Sequence, residues 1–214
     1  MINALKNIKL AFPLYCITCE KYSLGRSNIE VARDIFRAGA KILQYREKEK
    51  SKKNKFEECV KIRKMANQAK ATFIVNDDVD IALSVKADGV HLGQKDMPLL
   101  VARKLVGKDM IIGVSTHSPK QARLAETQGA DYIGVGPIYP TQTKFDVCPA
   151  VGLKYLDYAV KHVRIPFVTI GGIKHHNLQE VRKHGATCVA MVTEIVSAPD
   201  IPLRIKEILS LIKS

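Results

Sequence analysis

Gly129-Ala130-Asp131-Tyr132-Ile133-Gly134-Val135-Gly136 opens with a small-residue turn and runs into a short apolar segment. The same kind of phrase precedes three other such segments, as Ala38-Gly39-Ala40, Ala87-Asp88-Gly89 and Gly185-Ala186-Thr187. Each follows a stretch with helical apolar spacing, so each reads as a turn in which glycine ends a helix and a strand begins. Working outward, the periodicity predicts strands at 14–19, 42–46, 72–76, 89–92, 110–115, 132–136, 167–170 and 188–192. Helices are predicted at 29–38, 56–69, 79–85, 98–106, 119–128, 153–162 and 178–184, with one at 201–212 closing the chain. Strands separated by helices pair in parallel through right-handed crossovers. Eight such units without a linker predict a single (β/α)8 TIM barrel in the α/β class, one domain over 1–214.

Composition agrees with one sizeable core: of 214 residues, 46% are hydrophobic and 26% charged. Apolar runs are too short for a membrane helix, and the 8–17 stretch is broken by Lys9 and Pro13 with no cleavage pattern after it. The expectation is a cytoplasmic protein with no membrane partner. Five cysteines, an odd number, do not describe a disulfide framework. Cys16 and Cys19 are spaced C-x-x-C, but in a strand that spacing sends the two thiols to opposite faces.

Lys and Arg number 34 against 21 Asp and Glu, a net charge of +13 that attracts anionic partners. The densest basic run, 48–55, has only Tyr45 as a nearby aromatic, so the stacking pattern of a single-strand nucleic-acid binder is absent and no nucleic-acid partner is expected. The run reads as a solvated loop entering a helix, and also as a candidate lid. A non-catalytic polyanion binder is the alternative that the charge alone motivates.

In a barrel, function collects in the loops after the strands' carboxyl ends. Gln44 and Arg46, two apart in a strand, share a face that a barrel can turn inward, with Lys48 continuing the alternation. Arg46 offers a planar fork for phosphate and Lys48 a mobile charge. Asp77 and Asp96 follow neighbouring strands and can converge as oxygen ligands for Mg2+. A pair of acids could instead serve as acid and base, but the cations nearby are expected to keep both ionised. Capping the helix at Val79 is the structural alternative for Asp77 or Asp78. Gly171-Gly172 after strand seven and Val192-Thr193 after strand eight occupy the positions of a recurrent barrel phosphate site. His91 reads as an interior imidazole, and His175 and His176 as members of a surface loop.

Several stretches then resemble one family. Leu43-Gln44-Tyr45-Arg46-Glu47-Lys48, Phe73-Ile74-Val75-Asn76-Asp77, Asp88-Gly89-Val90-His91-Leu92-Gly93-Gln94-Lys95-Asp96, Ile112-Gly113-Val114-Ser115-Thr116-His117 and Gly134-Val135-Gly136-Pro137-Ile138-Tyr139-Pro140-Thr141-Gln142-Thr143-Lys144 resemble the thiamine-phosphate synthase family. The resemblance runs from about residue 14 to 200. It implies a transferase that joins hydroxymethylpyrimidine diphosphate to thiazole phosphate, or its carboxylated form, giving thiamine phosphate and pyrophosphate. It implies that the stretch Gln44, Tyr45, Arg46, Glu47 and Lys48, with Asn76 and Lys144, meets the pyrimidine diphosphate, and that Asp77 and Asp96 bind Mg2+. Arg46, Ser115 and Lys144 would stand at the reacting centre. Thr141, Gln142 and Thr143, with Gly172, Val192 and Thr193, would hold the thiazole phosphate. The thiazole tautomerase branch of the family is the near alternative, but Asp77, Asp96 and Pro137 keep the synthase pattern. Three departures stand out: Tyr45, Glu194 after Thr193, and the non-basic Val147-Cys148-Pro149. Small-molecule substrates are the expected partners, and the sequence leaves homo-oligomerisation open.

Overall fold

Strands of three to six residues, almost all buried, pair in parallel with their chain neighbours, and the last pairs with the first. They are β1 (Leu14–Ile17), β2 (Ile42–Tyr45), β3 (Thr72–Asn76), β4 (Gly89–Leu92), β5 (Ile111–Thr116), β6 (Tyr132–Val135), β7 (Phe167–Ile170) and β8 (Val189–Met191). The computed structural model describes residues 12–143 and 148–213. Lys144, Val147 and the first residues of the 8–17 stretch lie outside them.

The helices are α1 (Asn28–Arg37), α2 (Lys52–Ala69), α3 (Val79–Ser84), α4 (Leu99–Val106), α5 (Pro119–Thr127), α6 (Gly152–His162), α7 (Leu178–Lys183), α8 (Thr193–Val196) and α9 (Ile201–Lys213). The expected (β/α)8 barrel is therefore the fold. Three local expectations are corrected. First, β1 stops at Ile17, and Cys19 precedes a 3-10 turn over Glu20–Tyr22. Second, α2 starts at Lys52 because Ser51 Oγ accepts the Asn54 N–H, so much of the basic run is helix. Third, Thr193 begins the extra one-turn helix α8, too short to leave a periodic signal.

Strand pleating builds two cores. Tyr15, Ile17, Ile42, Ile74, Ile111, Tyr132 and Val168 fill the barrel, while the alternate residues, among them Leu14, Leu43, Phe73, Val90, Ile112 and Ile133, pack against the helices. At the foot of the barrel the small-residue phrase has a second use. Asp88 Oδ2 accepts the Phe73 N–H at 2.7 Å and Arg63 at 2.6 Å, and Asp131 Oδ2 accepts the Ile112 N–H at 2.8 Å and Arg103 at 2.5 Å. Each aspartate thus ties its strand to the preceding one and to a helix behind it. Gly89 departs from the expected role: it lies within β4, where a Cβ would stand 2.6 Å from Ile111 Cβ, and Lys86 takes the left-handed turn instead.

Candidate active site

A cavity of about 810 Å3 opens at the carboxyl ends of the strands. Alternation along β2 sends Gln44 and Arg46 into it and Tyr45 and Glu47 outward. Arg46 is 7% exposed. Its backbone N–H donates to Thr18 Oγ1 at 2.9 Å, Nη1 lies 3.8 Å from Cys19 Sγ, and buried Nε has no partner. A fixed guanidinium with an unpaired donor is prepared for an anion. The side chains of Tyr45 and Glu47 do not meet the cavity, which corrects the expectation of side-chain substrate contacts there. The Tyr45 hydroxyl donates to Glu58, and Glu47 accepts from Asn28 Nδ2 and from the N–H groups of Lys48 and Glu49.

On the adjoining rim, Asp77 follows β3 with φ of +59°, a strained conformation for a residue with a side chain. Its carboxyl group is in hydrogen-bond contact with Asp96, and the Lys48 ammonium donates to Asp77 Oδ2. Asp96 is held by the Gly93 N–H, 2.7 Å from Oδ2. Burial and Asp96 together outweigh Lys48 and push Asp77 up to about 6. The expectation that nearby cations oppose a raised proton affinity is thereby corrected at Asp77: burial and the second carboxylate count for more than the cation. Asp78, whose side chain makes no cap to α3, instead pairs with Lys52 and Lys55. Lys50 is clamped between Glu20 and Glu58, so four lysines of the basic run, Lys48, Lys50, Lys52 and Lys55, are tied down by ion pairs.

The opposite rim is built from β6, β7 and β8. Thr141 and Thr143 bring their hydroxyl oxygens within 3.1 Å, and the Tyr22 hydroxyl reaches the Gln142 carbonyl across the mouth. Gly172 has φ of +64°, and a Cβ there would lie 2.7 Å from the Pro140 carbonyl oxygen, so this backbone meets the β6 loop more closely than a side chain permits. Val192 and Thr193 line the same end. Glu194 turns toward Lys174 and Arg204, each 3.6 Å from one of its carboxylate oxygens, at the start of α8. Asn76 and Ser115 line the cavity between the two rims.

Sequence reading missed part of this site. Lys174, whose Nζ donates to Thr193 Oγ1 at 2.8 Å, lines the cavity, as does His176, for which the sequence predicts a surface loop. Tyr15 and Tyr132 meet inside the barrel, hydroxyl to hydroxyl at 2.8 Å. Their strand parity was the available signal, but interior tyrosine differs from core phenylalanine only by an oxygen whose partners lie on other strands. The five cysteines are free, and burial raises the thiols of Cys16, Cys59 and Cys188, which keeps these three protonated and inert.

A closed barrel whose cavity holds a buried cation at one end and glycine backbone with threonine hydroxyls at the other, with paired acids in the loops after β3 and β4, defines the class: a barrel enzyme for phosphorylated small molecules. Comparison with known proteins narrows it. The family described as thiamine monophosphate synthase matches residues 14–195. The thiamine-phosphate synthase of Pelotomaculum thermopropionicum is 59% identical over 93% of this chain and 91% of its own. That of Lawsonia intracellularis is 56% identical over 97% and 96%. The solved structure of thiamine phosphate pyrophosphorylase from Pyrococcus furiosus superposes with a TM-score of 0.89 at 34% identity, covering 97% of this chain and 98% of that one. The chain belongs to the thiamine monophosphate synthase family, whose members are transferases. Among the described residues no helix is long and apolar enough to cross a membrane.

Proposed function

We propose that this chain condenses hydroxymethylpyrimidine diphosphate with thiazole phosphate, releasing pyrophosphate and forming thiamine phosphate in the cytoplasm. The observation that carries the reading is one cavity with an anion-ready group at each end: Arg46 on the first rim and the Gly172 and Thr193 backbone on the second. The diphosphate sits against Arg46 and Asn76, with Lys144 assigned to it by resemblance alone. The pyrimidine lies over Gln44 and Ser115, and the thiazole phosphate against Thr141, Thr143, Gly172 and Thr193. The bond from the pyrimidine methylene to the diphosphate oxygen breaks, the oxygen keeps the electron pair, and the thiazole nitrogen donates its lone pair to the methylene. Arg46 is fixed before the reaction, so it stabilises the departing charge without reorganising.

Asp77 and Asp96 fit a hard divalent cation: two carboxylates in contact, one with a raised proton affinity, are an anionic pair that a cation relieves. These two residues would hold Mg2+, which when bound neutralises charge on the leaving diphosphate. The test is pyrophosphate release with both substrates, in Mg2+ or in EDTA. Release that needs both substrates and the metal, with equal thiamine phosphate, is expected. In Asp96→Ala, turnover is expected to fall at least 100-fold with unchanged circular dichroism. Folded wild-type protein that gives no thiamine phosphate overturns the reading, and normal turnover in Asp96→Ala overturns the metal assignment.

A further inference from the structure

Five side chains from five strands form one buried chain of hydrogen bonds across the barrel. Gln44 Nε2 donates to the Tyr15 hydroxyl at 2.9 Å, which lies 2.8 Å from the Tyr132 hydroxyl. The Tyr132 hydroxyl lies 2.9 Å from His91 Nδ1, and His91 Nε2 lies 2.9 Å from Ser115 Oγ. Tyr15 and Tyr132 are 2% and 3% exposed. The barrel keeps room for the central ring by leaving out a side chain: a Cβ at Gly113 would stand 2.1 Å from Tyr132 Cζ.

Donor counting gives this chain a direction. An amide nitrogen only donates, so the Tyr15 oxygen accepts from Gln44 and its single proton goes to Tyr132. The Tyr132 proton then goes to His91 Nδ1. A neutral imidazole that accepts at Nδ1 carries its proton at Nε2 and donates it to Ser115 Oγ. Ser115 Oγ has accepted, so its own proton is left for the cavity that it lines. Burial raises both tyrosines, which keeps their hydroxyls protonated as this ordering needs.

We propose that Tyr15, Tyr132 and His91 are positioning residues that hold Ser115 as a hydrogen-bond donor into the cavity, aimed at the heteroaromatic ring or its leaving group. This rests on the synthase reading for the identity of the substrate. The two ends of the chain, Gln44 and Ser115, both line the cavity, so the chain also sets their relative orientation beneath one planar ring. An interior filled with aliphatic side chains would pack as well without directing either group.

Two measurements test this. Long-range proton–nitrogen correlation spectra of imidazole-labelled wild-type protein read the His91 tautomer directly, and the expected form is protonated at Nε2. Protonation at Nδ1 would reverse the chain, make Ser115 a donor to His91, and overturn the proposal. The second is a double-mutant cycle with Tyr132→Phe and Ser115→Ala, after each variant is shown to fold. Tyr132→Phe alone is expected to lower kcat about five- to tenfold with KM changed less than about twofold, the size of one lost orienting hydrogen bond. In the Ser115→Ala background the same change is expected to cost nothing further, because Tyr132 acts through Ser115. Losses that multiply mean a merely structural role and overturn the proposal, as does an unchanged kcat in Tyr132→Phe. If Tyr132→Phe does not fold, the wild-type tautomer still decides. If wild-type protein makes no thiamine phosphate, the synthase reading fails while the tautomer still reports on the chain.

Discussion

The Tyr45 hydroxyl donates to Glu58 Oε2 at 2.7 Å on the helix side of β2, directly behind the strand that carries Gln44 and Arg46 into the cavity. Glu58 is 8% exposed and also accepts from Asn28 and Lys50, so β2, α1 and α2 meet on one carboxylate. Tyr45→Phe removes one bond from a buried charge and leaves every cavity group in place. The expected result is a loss of about 1–3 kcal/mol in urea unfolding with kcat/KM within about threefold of wild type. A tenfold loss of kcat/KM without a stability change would assign Tyr45 to substrate contact instead.

How much of this was legible depends on whether a signal is local. Val168 and Thr169 in β7, or Gln44 and Tyr45 in β2, are sorted to their faces by parity alone, so the strands and the barrel follow from short-range pattern. Arg46 was legible for the same reason. The outward role of Glu47 was not, because its partner Asn28 lies 19 residues away on another element. Lys174 escaped notice because its approach to Thr193 depends on how the loops after β7 and β8 meet. The proton affinity of Asp77 likewise belongs to a contact between two loops, and nearby cations in sequence gave the wrong sign.

That raised affinity makes the proposed metal site sensitive to pH. An acid whose folded value lies near 6, above its ordinary 3.8, binds its proton more tightly in the folded state. The destabilisation from its ionised form is therefore fully present above about 6 and vanishes below about 3.8. On the proposed assignment protons and Mg2+ compete for Asp77, so Mg2+ is expected to raise Tm strongly at pH 7.5 and weakly at pH 5.5, with a higher midpoint concentration at the lower pH. Thermal melts over a Mg2+ series at the two pH values check this. Asp77→Asn is expected to flatten the pH dependence, and an equal Mg2+ response at both pH values in wild type would count against competition at this carboxyl group.

Arg46 provides a test of geometry rather than charge. Arg46→Lys keeps a cation but replaces the planar fork and its unpaired Nε with a point charge on a flexible stem. KM for the pyrimidine diphosphate is expected to rise about 10- to 100-fold, with KM for the thiazole phosphate changed less than about threefold. Steady-state kinetics with each substrate varied in turn separates the two. Equal effects on both would mean that Arg46 shapes the whole cavity and does not recognise the diphosphate in particular.

Gly172 tests the other end of the cavity. At φ of +64°, with the Pro140 carbonyl oxygen and Tyr139 Cβ each 2.7 Å from where a Cβ would stand, Gly172→Ala meets both backbone strain and a steric clash. The β7 loop must then shift away from the β6 loop, moving the backbone proposed to face the thiazole phosphate. Since Arg46, Asp77 and Asp96 belong to the opposite rim, the damage is expected to divide by substrate: KM for thiazole phosphate up at least tenfold, and diphosphate binding in Mg2+ within about twofold. Isothermal titration with each ligand distinguishes the cases. Loss of both affinities together would show that the two rims are coupled through the barrel, and that the anion sites do not act independently.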